Sequence, residues 1–335
     1  MRVAVTGGAG YIGSHALVDL KRAGHSPIVL DNLSEGHAAA AGDCDFSCID
    51  LADEEKVFQT LGACGAEAVM HFAASAYVGD SVKAPEKYYF NNLVNALQLL
   101  RAMGRVGVKR FVFSSSCTVY GIPKKAPVTE DLPVSPISPY GRTKAAVEQI
   151  LQDYANAYGL KYASLRYFNA AGAMPDGSLG EDHRPETHLI PLVIYAALGK
   201  RKNISIYGTD YPTPDGTCVR DYIHVLDLAR AHVMALEALD ERMTMLYNLG
   251  AGRGYSVKEV IETVKAVSGR EVPVEVAPRR PGDAPMLVGS MEKIKSELGW
   301  EPEMSSLRRI VETAWAWHSA HPHGFGSKCS SAAPG

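Results

Sequence analysis

A glycine-rich run set directly behind the first apolar segment restricts the fold of this chain more than any other feature. Arg2 to Thr6 reads as a strand and Ser14 to Ala23 as a helix. Between them Gly8-Ala9-Gly10-Tyr11-Ile12-Gly13 fits GxGxxG, and with Gly7 it also fits GxxGxxG. Glycines at such a turn let the backbone approach a pyrophosphate. The helix behind them points free N–H groups and its positive dipole end at the phosphates. Gly7, Gly10 and Gly13 are the phosphate-turn candidates. Asp31 closes the second strand, about twenty residues on, where a carboxylate accepts from adenosine ribose hydroxyls. It also repels a 2′-phosphate, and the residues that follow, 32–36, include no arginine to receive one. NAD is therefore expected rather than NADP; the bland alternative leaves Asp31 as a turn residue. Asp50, just before Leu51, is a weaker candidate for the adenine amine.

Short apolar runs then alternate with helical stretches. Pro27 to Leu30, Ala68 to Phe72, Arg110 to Ser114 and Tyr162 to Arg166 read as buried strands; Tyr88 to Met103 and Lys144 to Tyr158 read as helices. That alternation predicts an α/β fold, a Rossmann-type doubly wound parallel sheet. Beyond about Asn169 the pattern loosens. Residues 170–185 and 208–216 read as long loops, which in a compact protein are commonly functional. The expected division is a dinucleotide-binding domain at 1–169, with a returning segment at about 218–250. A smaller C-terminal α/β substrate-binding domain takes 170–217 and 251–323, and 324–335 forms a flexible tail.

The 335 residues are 46% hydrophobic and 21% charged, with a formal net charge of -3. Such a chain is not built as a general nucleic-acid binder, which carries a basic patch. An anionic ligand must be held by a few local arginines and helix N-termini. The six cysteines form no CxxC pair and no zinc-like Cys/His spacing, so separate thiols and no metal are expected. No apolar run approaches the ~20 residues that span a bilayer. Met1 leads straight into a strand without a signal-peptide pattern, and a cytoplasmic enzyme is expected.

Pro139-Tyr140-Gly141-Arg142-Thr143-Lys144 holds YxxxK at the start of a helix, which puts Tyr140 and Lys144 on one face. A free tyrosine, with its pKa near ~10, is a poor base at neutral pH. A nearby ammonium and a positive nicotinamide ring both favour the phenolate. Tyr140 is thus a candidate proton acceptor, and Lys144 a candidate for the nicotinamide ribose. YxxxK arises by chance on helix surfaces. What lifts it here is Ser114-Ser115-Ser116 at the carboxyl end of an apolar strand, the edge where open α/β sheets bind ligands. Serine, tyrosine and lysine together describe reversible hydride chemistry on a carbinol.

Several stretches make a more specific match: VTGGAGYIGSH (5–15), FSSSCTVYG (113–121), RYFNAAGA (166–173), RDYIHVLDLA (220–229), YNLGAG (247–252) and APRRPGD (277–283). With them the chain, from Met1 to about His323, resembles the UDP-glucose 4-epimerase branch of the extended short-chain dehydrogenase/reductase family. The resemblance implies a catalytic trio of Ser116, Tyr140 and Lys144. Its cofactor set adds Tyr11, Ile12, Asp31, Asn32, Asp50, Leu51, Phe72, Ala73, Ala74, Asn91, Ser114, Tyr167 and Phe168. Its UDP-binding positions fall on Asn169, His188, Leu189, Ser205, Tyr207, Arg220, Arg280 and Asp283. Arg220 and Arg280 suit a pyrophosphate; Tyr207 suits the uracil face and Asp283 a sugar hydroxyl. Read alone, Arg220 beside Asp221 is equally an ion pair on a solvated face.

Three positions depart from the pattern. Ala76 stands where many members carry a lysine near the cofactor. His188 replaces a frequent asparagine. Leu287 sits where bulk near the hexose C2 is gated, which leaves N-acetylated sugars open. The activity implied is interconversion of UDP-glucose and UDP-galactose: transient NAD-dependent oxidation at C4, then hydride return to the opposite face. A UDP-pentose 4-epimerase would use the same residues. A 4,6-dehydratase needs an acid pair after the serine, where this chain has Cys117 and Thr118. A non-catalytic dinucleotide sensor is the rival outside enzymes. The helices at 88–103 and 144–158 carry apolar residues on more than one face (Leu93, Ala96, Leu97, Leu99, Leu100; Ala145, Val147, Ile150, Leu151). The family pairs these helices between subunits, so a homodimer is expected.

Overall fold

A computed structural model describes residues 1–280 and 282–326. The large sheet is built from β1 (Arg2–Thr6), β2 (Ser26–Asp31), β3 (Asp45–Cys48), β4 (Ala68–His71), β5 (Arg110–Ser116) and β6 (Lys161–Tyr167). The lobe beyond it holds β7 (Asn169–Ala171), β8 (Ile204–Tyr207), β9 (Val219–His224), β11 (Gly254–Ser256), β12 (Val274–Ala277) and β13 (Met286–Leu287), while β10 (Thr244–Leu249) returns to the large sheet. The seven strands run in the order β10-β6-β5-β4-β1-β2-β3, all parallel. This is the doubly wound sheet expected. Val3, Ala4, Val5, Phe111 and Val112 are fully buried because a parallel sheet is covered on both faces.

One core cluster packs the helices Tyr11–Arg22 and Val225–Ala238 on one face of the sheet; another packs Glu54–Ala63, Asn95–Val106 and Pro139–Tyr158 on the other. Strand order reverses between β1 and β4, so a crevice opens above their carboxyl ends. In the smaller lobe β9 pairs with β7, β11 and β13, while β8 pairs with β12. The helices Leu189–Ala197, Val257–Ser268 and Leu307–Ala320 bury their apolar faces in a third cluster. Of the segment at about 218–250, the helix and β10 join the large sheet, whereas β9 itself pairs in the small one.

Three local expectations shift. The first helix starts at Tyr11, so Gly13 lies inside it rather than ahead of it. The helix expected from Tyr88 is Pro85–Tyr88, then a π-helical turn Tyr89–Val94, then α-helix from Asn95 to Val106. The buried Asn92 gives the reason: its Oδ1 accepts from Ser75 N (2.8 Å) and its Nδ2 donates to Ser75 O (3.0 Å). Asn91 reaches the same loop, donating to Ser75 Oγ at 3.2 Å. Successive α-helical residues diverge by about 100°, and the wider turn reduces that divergence. Most of the tail expected to be flexible lies outside the described residues. Its described start does not behave so: Phe325 stacks on His37 at 5.2 Å and donates its N–H to Asp182 Oδ2 at 3.0 Å. Among the described residues no helix is long and apolar enough to cross a membrane.

Candidate active site

The crevice is a cavity of about 930 Å³, and a second of about 210 Å³ adjoins it through Asn169, His188, Arg220, Arg280 and Asp283. The phosphate turn forms one wall. Gly7 adopts φ +70, and a Cβ there would lie 2.6 Å from Ala73 N. A Cβ on Gly13 would lie 2.2 Å from Gly7 O. Gly10 caps the helix with no side-chain bond, and the first turn carries no acid. The leading N–H groups are therefore left to an anion, and the glycine cradle fits a pyrophosphate. Gly7→Ala is expected to lower Tm and to weaken NAD binding, because backbone blocks the new methyl. A variant with wild-type Tm and wild-type affinity for NAD would refute the assignment.

Asp31 ends β2 and accepts from Ala9 N (3.0 Å) and Leu33 N (2.8 Å), which ties the strand to the turn. Asn32 Nδ2 donates to Asp50 Oδ2 at 2.9 Å, and Leu51 lies beside them in the cavity wall. Phe72, Ala73, Ala74 and the exposed Ala76 follow β4 along the same wall, and Asn91, bonded to Ser75 of this loop, lines the cavity with them. Tyr11 crosses to the smaller lobe, donating its hydroxyl to Gly172 O at 2.6 Å. The residues present thus fit a dinucleotide: a side-chain-free phosphate cradle with a carboxylate one strand away.

The reactive end sits over the carboxyl edge of β5. Ser138 caps the helix that follows, its Oγ accepting from Gly141 N at 3.1 Å, and Pro139 opens the first turn. Tyr140 comes from that turn and Lys144 from the next, and they are 6% and 3% exposed; Ser116, from β5, is 5% exposed. All three line the larger cavity. Lys144 Nζ donates to Ser114 O at 2.7 Å and lies 5.8 Å from the Tyr140 ring centroid. Ser114 Oγ pairs with the Tyr167 hydroxyl at 2.8 Å, and the next residue, Phe168, is buried in the cluster with Cys117 and Tyr120. Ser116 Oγ accepts from Thr118 N (3.2 Å) and Thr118 Oγ1 (3.0 Å). Both lone pairs are then taken, so the serine proton is left to donate. Thr118 is a contributor that sequence reasoning passed over.

Burial raises the Tyr140 phenol well above its ordinary range; Tyr167 adds to this and the Ser116 hydroxyl opposes it. Burial lowers Lys144 to about 7, with Glu148 opposing. Between about pH 7 and the ordinary lysine value of 10.5 the unfolded chain holds a proton that the folded one has lost. This group's destabilisation is thus full below about pH 7 and relieved as pH rises towards 10.5. Lys144→Met is expected to raise Tm by several degrees near pH 6, with the gain vanishing by about pH 10.5. A pH-independent difference would refute the buried-ammonium reading.

The second cavity is lined by Leu189, Ser205 and Tyr207, none of which reaches the first. Arg280 lies over the Tyr207 ring at 4.7 Å and its Nε donates to Asp283 Oδ2 at 3.0 Å. Arg220 reaches Ala284 O (2.7 Å) and lies 3.6 Å from Asp283, so it is not simply paired with its neighbour Asp221. Asn169 Nδ2 donates to Asp221 O at 2.8 Å, which fixes it at the mouth between the cavities. Leu287 packs against the cluster of Cys117, Val119, Tyr120, Val128 and Phe168 and lines the larger cavity. Burial pushes the Cys117 thiol to about 12, and Thr118 is already bonded to Ser116, so no acid pair follows the serine.

Residues 3–250 match the model of the NAD dependent epimerase/dehydratase family. The chain belongs to this family. Within the family it is 49% identical over 329 residues to a UDP-glucose 4-epimerase of Halalkalibacterium halodurans, covering 98% of each chain. A UDP-glucose 4-epimerase of Bacillus subtilis is 47% identical over 338 residues, covering 98% of this chain and 99% of that one. The crystal structure of UDP-glucose 4-epimerase from Brucella ovis in complex with NAD superposes with a TM-score of 0.92 at 48% identity, covering 94% of this chain and 97% of that one. The enzyme from Bifidobacterium longum in complex with NAD+ and UDP gives a TM-score of 0.92 at 39% identity, covering 97% and 100%. This epimerase/dehydratase member is therefore similar to UDP-glucose 4-epimerases over nearly all of its length.

Proposed function

We propose that this chain is an NAD-dependent UDP-glucose 4-epimerase in which Ser116, Tyr140 and Lys144 carry the proton chemistry. One observation supports this above the rest: that trio shares a single cavity with the phosphate turn, and the cavity opens onto Arg220 and Arg280. NAD, when bound, supplies the hydride acceptor and donor, and its positive ring favours the Tyr140 phenolate. Tyr140 takes the proton of the sugar C4 hydroxyl and later returns it. Ser116, with both lone pairs occupied by Thr118, donates its own proton towards the C4 oxygen. Lys144, anchored to Ser114 O, holds the nicotinamide ribose and its charge beside the phenol.

Arg220 and Arg280 neutralise the UDP pyrophosphate, and Asp283 between them accepts from a sugar hydroxyl. Tyr207 lies along the uracil face, with Ser205, Leu189, His188 and Asn169 completing the nucleotide wall. UDP stays tethered there while the 4-keto sugar turns over in the larger cavity. The large sheet and its helices serve the dinucleotide, and the smaller lobe serves the UDP-sugar. UDP-galactose added to the purified protein is expected to yield UDP-glucose with no net NADH; an inert protein would defeat this reading. Running UDP-N-acetylglucosamine and UDP-xylose alongside reads the sugar range that Leu287 permits.

The active form we propose is a cytoplasmic homodimer. Most of the apolar helix positions serve this chain's own core, since Ala96, Leu99, Leu100, Val147 and Leu151 are buried. Phe90, Val94 and Leu97 stay exposed on the same helical segment, with Tyr158 exposed on its neighbour, and form the unpaired apolar face. Light scattering is expected to give twice the 36.0 kDa chain mass; a monomer would refute the dimer.

A further inference from the structure

Four side chains of the loop ahead of the helix Leu189–Ala197 converge on one point. Glu181, His183, Glu186 and His188 place one ligand atom each within 4.8 Å of all the others. The separations are 3.1 Å from His183 Nδ1 to Glu181 Oε1, 3.4 Å from His188 Nδ1 to Glu186 Oε1, and 3.7 Å from His183 Nδ1 to Glu186 Oε2. A tetrahedral ion with bonds of about 2.0–2.2 Å needs ligand–ligand edges of about 3.3–3.6 Å. His188 Nδ1 and Glu181 Oε1, at 2.5 Å, are the one hydrogen-bonded pair among these four side chains, and must part by about 1 Å to admit an ion.

Two atoms of the cluster are left without a hydrogen bond. His183 Nδ1 makes no hydrogen bond although it lies 3.1 Å from a carboxylate oxygen. Glu186 Oε2 makes none either, on a side chain only 4% exposed. The shell around the four is already bonded. Glu186 Oε1 accepts from Thr187 N (2.7 Å) and His188 N (2.8 Å), and Trp317 Nε1 donates to Glu181 O at 3.0 Å.

We propose that Glu181, His183, Glu186 and His188 form a structural site for one divalent transition-metal ion, best suited to zinc. Two imidazole nitrogens and two carboxylate oxygens are the donors zinc accepts, and four protein ligands close its sphere. A dication also balances the two buried carboxylates while both imidazoles stay neutral. Bound there, the ion pins the loop that walls the larger cavity to the N-terminus of the helix Leu189–Ala197. It takes Nδ1 of His188 and leaves Nε2 for the nucleotide side.

The test is elemental analysis of the full-length protein, purified without chelator or metal-affinity resin. About one zinc per chain is expected. Protein dialysed against EDTA is expected to regain that zinc from zinc chloride, with Tm rising by about 5 °C or more. His183→Gln and Glu186→Gln are each expected to cut retained zinc by at least about tenfold and to abolish the Tm response. The proposal is overturned if EDTA-treated wild type binds no zinc and shows no Tm change at roughly 100 µM, far above what structural sites need. It is equally overturned if both variants keep full stoichiometry. None of these readouts depends on epimerisation.

Discussion

Tyr140→Phe is expected to lower kcat by ~10²–10⁴-fold, the range for removing a positioned general acid–base, while Tm and KM for UDP-galactose stay near wild type. The ring is 6% exposed and keeps its volume in the variant, so only the hydroxyl is lost. Burial already holds that phenol neutral, so its removal takes away no buried charge that folding depends on. Steady-state turnover with thermal melting checks both halves. Full turnover by the variant would remove Tyr140 from the chemistry; a large fall in Tm with kcat intact would make it a packing residue.

The second large effect lies behind the site. Arg166 on β6 grips Glu148 through Nε (2.9 Å) and Nη2 (2.5 Å), and its Nη1 donates to the Tyr120 hydroxyl at 2.8 Å. Ser115 Oγ donates to the same carboxylate at 2.6 Å, and Tyr120 donates onward to Asn248 Oδ1 at 2.8 Å. β5, β6, β10 and the catalytic helix are thereby locked by one buried network. Arg166→Met leaves Glu148 buried without its cation, a loss of about 3–5 kcal/mol. A Tm drop on the order of 10 °C is expected by calorimetry. Adding Glu148→Gln to that variant should recover part of it, because the orphaned charge is then gone. A single variant with unchanged Tm would show that the network contributes nothing. Glu148 also lies one turn beyond Lys144 and opposes the fall in its pKa, so the double variant tests whether the network tunes the site.

What sequence order makes legible here is whatever depends on spacing along the chain. The glycine turn after β1, the carboxylate at the end of β2, and Tyr140 one helical turn from Lys144 are local relations, and their types dictate their surroundings. The alternation of apolar runs likewise implied the parallel sheet, because strands buried on both faces must read as continuous apolar segments. Features that depend on distant segments were not legible. The π-turn at Tyr89–Val94 follows from a loop that holds Ser75, and the seating of Phe325 from His37 and Asp182 far up the chain. The grip of Thr118 on Ser116 is local, but it needs the turn geometry after β5 to be seen.

The residues 181–188 mark the boundary most clearly. Their order, Glu-x-His-x-x-Glu-x-His, is in plain view, but it straddles the end of the 170–185 loop and a position, His188, that the resemblance assigns to the nucleotide, and no cysteine or standard zinc spacing flags it. The chain alone determined which chemistry was available: a phosphate cradle, a phenol beside an ammonium, and two arginines for an anion. Only the tertiary structure decided where that chemistry meets. Burial sets the charge of Tyr140 and Lys144, one cavity joins residues more than a hundred positions apart, and four loop side chains turn to a common centre. Protonation and convergence are properties of surroundings, and surroundings exist only once distant segments have packed.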